Sequence, residues 1–161
     1  MEVRNKVRSI AHDLDVAKIT VAGVPDRPGI AASIFVPLAK AGVSVDTIVQ
    51  NASVENITDL TFTVTRNDVS EAMKVVEPIA SSIGARECVS DASLGKVSIV
   101  GTGMQNTPGF AARMFNTLSE KGINIQLITT SEIRITCIID ETKVKDAVRA
   151  LHRAFQVEME D

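Results

Sequence analysis

Tryptophan and tyrosine are absent from this 161-residue sequence, and aromatic residues make up only 3% of it. The core must therefore be aliphatic, and the stacking surface that reads single-stranded nucleic acid is not expected. Histidine occurs twice, as His12 and His152, and cysteine twice, as Cys88 and Cys137. Both cysteines fall in apolar, strand-like runs with no further ligand at a useful spacing, so buried thiols are expected rather than a disulfide or a zinc site. The two histidines are expected to serve at the surface or in packing.

No glycine-rich phosphate loop, nucleophile elbow, paired-histidine metal motif or thiol-redox motif occurs. Neither catalytic residues nor metal ligands are expected in this chain. Gly101-Thr102-Gly103 looks like a fragment of a nucleotide loop, but a turn accounts for its glycines and the downstream pattern of a dinucleotide fold is missing. No apolar run reaches membrane-spanning length, and residues 1–15 carry charges throughout, without the apolar stretch of an exported precursor. Cytoplasm is the expected location. The formal net charge of -3 gives no general attraction to nucleic acid or to an anionic membrane.

What is present is a repeat. Asp26-Arg27-Pro28-Gly29-Ile30-Ala31-Ala32 returns 80 residues later as Asn106-Thr107-Pro108-Gly109-Phe110-Ala111-Ala112. The register holds through Phe35 and Phe115, Leu38 and Leu118, Gly42 and Gly122, and Ile48 and Ile128. Turn residues, helix face and following strand stay in step, so the chain is a duplicated module. A hydrophobic fraction of 45% is enough for a real core. Two units of roughly 75 residues would each be marginal alone and would gain by pairing.

In the first unit, Lys18 to Ala22 alternates as a half-buried strand, and the turn at Val24 to Gly29 ends it. A helix over about 29–41 places Ile30, Ile34, Phe35 and Leu38 on one face and stops at Gly42. Strands are expected at 43–50 and 59–65, then a helix over 68–82 started by Asp68 and bent or shortened by Pro78, then a strand at 85–90. The second unit repeats the order as strand 96–101, helix 109–121, strands 123–130 and 133–139, helix 141–153 and a short strand near 156–159. Twice βαββαβ gives an α+β fold: two ferredoxin-like units, each an antiparallel sheet with helices on one face. The boundaries are 1–16 for an N-terminal extension with an added edge strand at Val7 to Ala11, 17–91 for the first domain and 92–161 for the second.

The chemistry concentrates at the strand-loop-helix corner around Pro28-Gly29. Proline there pre-sets a helical backbone angle and glycine removes side-chain bulk, so a small ligand can reach the first-turn N–H groups of Ile30 and Ala31. Those donors favour a carboxylate, and Asp26 is placed to accept from an ammonium, which makes a zwitterion-reading corner. A plain helix start with Asp26 as its cap is the competing interpretation.

The sequence resembles the regulatory portion of aspartate kinase, the tandem ACT domains that form the small subunit of the heteromeric bacterial enzymes. The resemblance is carried by Gly23 to Ala31, Val45-Asp46-Thr47-Ile48-Val49-Gln50-Asn51, Thr58-Asp59-Leu60-Thr61-Phe62-Thr63, Gly95 to Met104, Pro108 to Ala111, Asn124 to Ile135 and Ala150-Leu151-His152. It implies an amino-acid-binding module for feedback inhibition of aspartate kinase, with threonine as the first-ranked effector, with or without lysine. It implies a site between the first ACT domain of one chain and the second of another, using Asp26, Gly29, Ile30, Ala31 and Gln50 facing Asn124 and Ile125. Partners would be a second copy in a homodimer and the catalytic subunit. ATP would be used there, with no cofactor in this chain, because the stretches that match are regulatory and the kinase domain is absent from the sequence. The second corner has Asn106 for Asp26 and Thr130 for Gln50, so it lacks the carboxylate. An ACT-type sensor serving another biosynthetic enzyme and a ferredoxin-like nucleic-acid module are the alternatives.

Overall fold

The computed structural model describes residues 7–104 and 107–156. The chain divides into two units, residues 15–92 and residues 93 onward together with the N-terminal residues up to 14.

The first unit takes the C-terminal part of β1 (Val7–Pro25), then α1 (Ile30–Lys40), β2 (Ile48–Gln50), β3 (Ile57–Val64), α2 (Val69–Ser82) and the start of β4 (Glu87–Gly101). Its strands run in the order β2-β3-β1-β4, with β3 antiparallel to both β2 and β1. Ile30, Ile34 and Leu38 recur every four residues along α1 and are buried, as the apolar stripe requires. They pack with Ile19 and Val21 of β1, Leu60 and Phe62 of β3, and Ala72 and Val76 of α2. Phe35 meets Phe62 edge-on, with ring centroids 5.2 Å apart.

One strand and one helix of this unit depart from the sequence expectation. Of the strand expected over 43–50, only residues 48–50 join the ladder. Thr63 occupies the region before it, where its carbonyl accepts from Asp46 N–H at 3.0 Å and its hydroxyl from Thr47 N–H at 3.1 Å. Asp68 stands at the start of α2 but makes no side-chain cap, because a 3-10 turn at Arg66–Asp68 leads into the helix. Pro78 neither ends nor shortens α2, which runs on to Ser82. Lys74, four residues before it, is exposed, so water can take the carbonyl that Pro78 leaves without a donor.

The second unit takes the remainder of β4, then α3 (Phe110–Glu120), β5 (Ile125–Thr130), β6 (Arg134–Asp140) and α4 (Val144–Phe155). Val97 and Ile99 of β4, Met114 and Leu118 of α3, Cys137 and Ile139 of β6, and Leu151 of α4 form its core. Its strand order is β5-β6-β4-β1. The place that β4 holds in the first unit is held here by residues 7–14, and Val7 and Ile10 pack on this core. The stretch expected as an edge strand outside the repeat thus supplies the fourth strand of the second module. Of the strand expected near 156–159, Gln156 caps α4 in the left-handed conformation and the rest lies outside the described residues. The strands expected at 85–90 and 96–101 are one strand of 15 residues, and the charged stretch 12–15 lies inside a strand of 19. Both were hidden by exposed polar residues that resemble linkers.

No helix among the described residues is long and apolar enough to cross a membrane.

Candidate functional site

The first corner is built by a tight turn. Ile30 N–H donates to the Arg27 carbonyl at 3.3 Å, and Gly29 between them has φ 90° and ψ -9°. This is the third position of a type II turn, where a side chain would be strained and where proline favours the position before it. Pro28 therefore shapes a turn ahead of the helix and does not occupy its first residue. The first helical bond follows directly, from Ser33 N–H to the Gly29 carbonyl at 3.0 Å.

Among the described residues no side chain caps α1. Asp26 is exposed, and its own N–H donates to the Asn56 carbonyl at 2.8 Å. The capping role weighed for Asp26 is thereby excluded, and its carboxylate is left facing outward beside the helix start. The turn takes up the Ile30 N–H, and the Ile30 side chain is buried in the core at 7% exposure. Ala31 is exposed and is the outward first-turn donor. Gln50 ends β2 opposite Leu60, which lies opposite Val21 on the other side of β3. β2 ends, β3 begins and β1 ends at the same edge of the unit, so Gln50 shares that edge with Asp26, Gly29, Ile30 and Ala31.

Asn124 and Ile125 lie in the second unit, at the turn into β5. They line an open groove of about 410 Å³ with Phe115, Ser119, Gly122 and Ile123.

The second corner repeats the turn geometry, with Gly109 at φ 103° and Arg113 N–H donating to its carbonyl at 2.9 Å. A depression of about 550 Å³ lies against it, lined among others by Pro108, Gly109, Phe110, Thr130 and Glu132. Asn106 lies outside the described residues. The sequence comparison left this corner without a carboxylate, yet Glu132 supplies one. It does so because the β5-β6 connection is only residues 131–133 whereas the β2-β3 connection is 51–56, which brings a turn residue to the helix start. Arg113 stands where the first corner has Ser33, and its guanidinium lies 5.5 Å from the Phe155 ring centroid. Spacing in the sequence contained both differences, but the repeat was matched on its similarities.

Two ACT domain models match the sequence, over residues 18–80 and 97–155. A crystal structure of aspartokinase alpha and beta subunits is 44% identical with a TM-score of 0.87, covering 94% of this chain and 99% of that one. The ligand-free regulatory subunit of aspartate kinase from Thermus thermophilus is 42% identical with a TM-score of 0.87, covering 92% and 98%. This chain belongs to the aspartate kinase regulatory family. Its two units are ACT domains, as the resemblance implied. Among curated relatives, the aspartokinase of Pseudomonas aeruginosa is 49% identical over 152 residues, 94% of this chain and 37% of that protein. The aspartokinase of Thermus thermophilus is 40% identical over 160 residues, 98% of this chain and 39% of its own length. The chain thus spans well under half of the curated relatives that it matches.

Among the described residues no group of three or more His, Cys, Asp or Glu side chains could hold a metal ion. Gly101 N–H donates to the Ile133 carbonyl at 2.8 Å and Gly103 takes φ 72°, so the Gly-x-Gly step ends a strand and opens a turn. Cys137 is buried; Cys88 is half-buried, and both are free thiols.

Proposed function

We propose that this chain binds a small amino acid at the first corner and transmits its presence to an aspartate kinase catalytic portion as feedback inhibition. The observation that carries this reading is the uncapped N-terminus of α1, opened by Gly29 at φ 90° and flanked by the exposed Asp26. The outward N–H of Ala31 at a helix start suits a carboxylate, and the adjacent Asp26 carboxylate suits an ammonium. Gln50 would face the effector's side chain, with Asn124 and Ile125 contributed by the second domain of another copy. Threonine is the first choice, since a branched hydroxyl side chain matches a lining of amide and aliphatic groups, and lysine is the second.

The reading includes a homodimer. Among the described residues β2 and β5 each have a strand neighbour on one side only, and Ile48 and Ile128, repeat-related positions on these strands, are 53% and 44% exposed. Open edges with apolar residues favour pairing, and a two-fold dimer closes it. The catalytic subunit is the other partner, and ATP is its substrate.

Isothermal titration with threonine, lysine, methionine, leucine, isoleucine and valine tests the reading. Threonine should bind best, and Asp26→Ala should weaken it roughly tenfold or more, the usual scale for losing a charge-assisted hydrogen bond. Light scattering should show a dimer that tightens with effector. Absence of heat with all six amino acids, or full affinity in the Asp26 variant, would remove the site.

A further inference from the structure

We propose that Asp59, on β3, is a positioning residue that holds the effector corner of the first domain in its binding geometry. The inference rests on the reading above that this corner takes an amino acid.

The β1-β3 ladder is regular from Ala17 opposite Val64 to Val21 opposite Leu60, then resumes with Val24 opposite Thr58. Ala22 and Gly23 together oppose the single residue Asp59, which is a β-bulge. Gly23 takes φ 68°, and its N–H donates to Asp59 Oδ1 at 2.9 Å in place of a ladder carbonyl. On its other side Arg86 N–H donates to the Ala22 carbonyl at 2.8 Å.

The bulge decides which way the corner faces. Side chains alternate along a strand, so residues three apart face opposite sides unless the strand is irregular. Val21 and Val24 are both fully buried in the same core, and only the extra residue allows it. Pro25 then pairs with Ile57, Asp26 N–H reaches Asn56, and the turn into α1 starts from that fixed point. Without the bulge every residue from Val24 onward would exchange faces, and Asp26 would leave the open side.

The second domain shows what happens without the carboxylate. Phe62 corresponds to Cys137, so Asp59 corresponds to Arg134, which sits in a regular pair with Val100. No shift interrupts that ladder, and Gly101 N–H continues it to the Ile133 carbonyl. The carboxylate and the bulge occur together in one domain and are missing together from the other. The two corners are thus set by different devices despite their matching Pro-Gly turns.

The test uses the full chain titrated with threonine, alongside the amide resonance of Gly23. Asp59→Ala should weaken binding about tenfold and shift the Gly23 amide proton upfield. Asp59→Asn, which keeps an acceptor oxygen, should retain affinity within about threefold and hold the resonance near its original position. Rescue by asparagine separates positioning from a general loss of stability, and it also covers the case in which the alanine variant fails to fold. Unchanged affinity in Asp59→Ala with the unaltered chain binding normally overturns the positioning role alone. No binding by the unaltered chain fells the corner reading and this proposal together.

Discussion

The hydroxyl of Ser98 lies 2.7 Å from that of Thr136, and both residues are buried, at 2% and 7% exposure. The first domain has the same cross-strand arrangement in Thr20 and Thr61, 3.2 Å apart and half-buried. One interaction is thus placed in two degrees of contact with water. Thr136→Val would leave the Ser98 hydroxyl buried without its partner, a loss of about 1–3 kcal/mol. Thr61→Val should cost less, within about 0.5 kcal/mol, because water can reach Thr20. Urea melts of the two single variants and of the Ser98→Ala, Thr136→Val double variant check this. The double variant should be more stable than the sum of its parts predicts, and strict additivity would refute the coupling.

Gly23 is held by geometry as well as by its hydrogen bond. A Cβ there would lie 2.8 Å from Arg86 Cβ and 3.2 Å from Arg86 N, and the backbone sits at φ 68°. Gly23→Ala should therefore destabilise by more than the roughly 1 kcal/mol of the left-handed conformation alone. By contrast, Gly42→Ala, at φ 78° with open space around it, should show only the conformational cost. Equal losses in the two variants would show that the approach of Arg86 imposes nothing.

Protonation adds two effects of opposite direction. Burial pushes the Cys137 thiol up from an ordinary 9.0 to about 12. The unfolded chain releases that proton first, so this contribution to stability is complete below pH 9 and is lost as pH rises from about 9 toward 12. Melting temperature should fall over that window, and less steeply in Cys137→Ala. Asp140 is shifted the other way, because its Oδ1 accepts from the Thr142 hydroxyl at 2.6 Å and from Thr142 N–H at 2.8 Å. Its contribution is present above the ordinary carboxyl value and disappears as pH falls through the lowered one. In a carbon-detected titration its carboxyl should protonate below the ordinary aspartate value. The burial that raises Cys137 also makes it slow toward thiol reagents at neutral pH, and Cys88, raised less and only half-buried, should react first.

Much of this architecture was legible because it follows from short-range pattern. The Pro-Gly turns, the Ile30-Ile34-Leu38 stripe and the glycine stops depend on neighbours within one or two turns, and the repeat displayed them twice. The tight turn at Pro28-Gly29 that opens the first corner was legible for the same reason. The bulge was not, since it requires knowing that Asp59 lies across from Gly23, 36 residues away. Alternation from Ile19 to Val21 gave no hint that Val24 would rejoin the same face. Glu132 was missed because matching repeats hides insertions and deletions, and its arrival depends on a shorter loop. The largest difference concerned residues 7–14, whose polar positions read as an appendage. Their role is set by a partner strand that begins some 80 residues later, a distance over which composition carries no signal.

That role predicts the behaviour of Gly95, a β4 residue against which Val144 of α4 and Leu14 of β1 both pack. A Cβ on Gly95 would fall 2.5 Å from Val144 Cγ2 and 3.1 Å from Leu14 Cδ2. Its φ is not in the left-handed region, so the demand is for space and not for backbone freedom. Leu14 comes from the N-terminal strand and Val144 from the start of α4, and alanine at 95 would push on both. Overpacking of this kind costs about 1–3 kcal/mol, because neighbouring side chains and backbone must shift. Val144→Ala removes the nearer methyl and should restore part of the loss in the double variant, while leaving a small cavity when made alone. If Leu14 is the softer wall, hydrogen exchange in Gly95→Ala should rise in residues 7–14 before it rises in α4. A Gly95→Ala protein as stable as the parent, with unchanged exchange along both segments, would mean that residues 7–14 do not pack as the fourth strand of this domain.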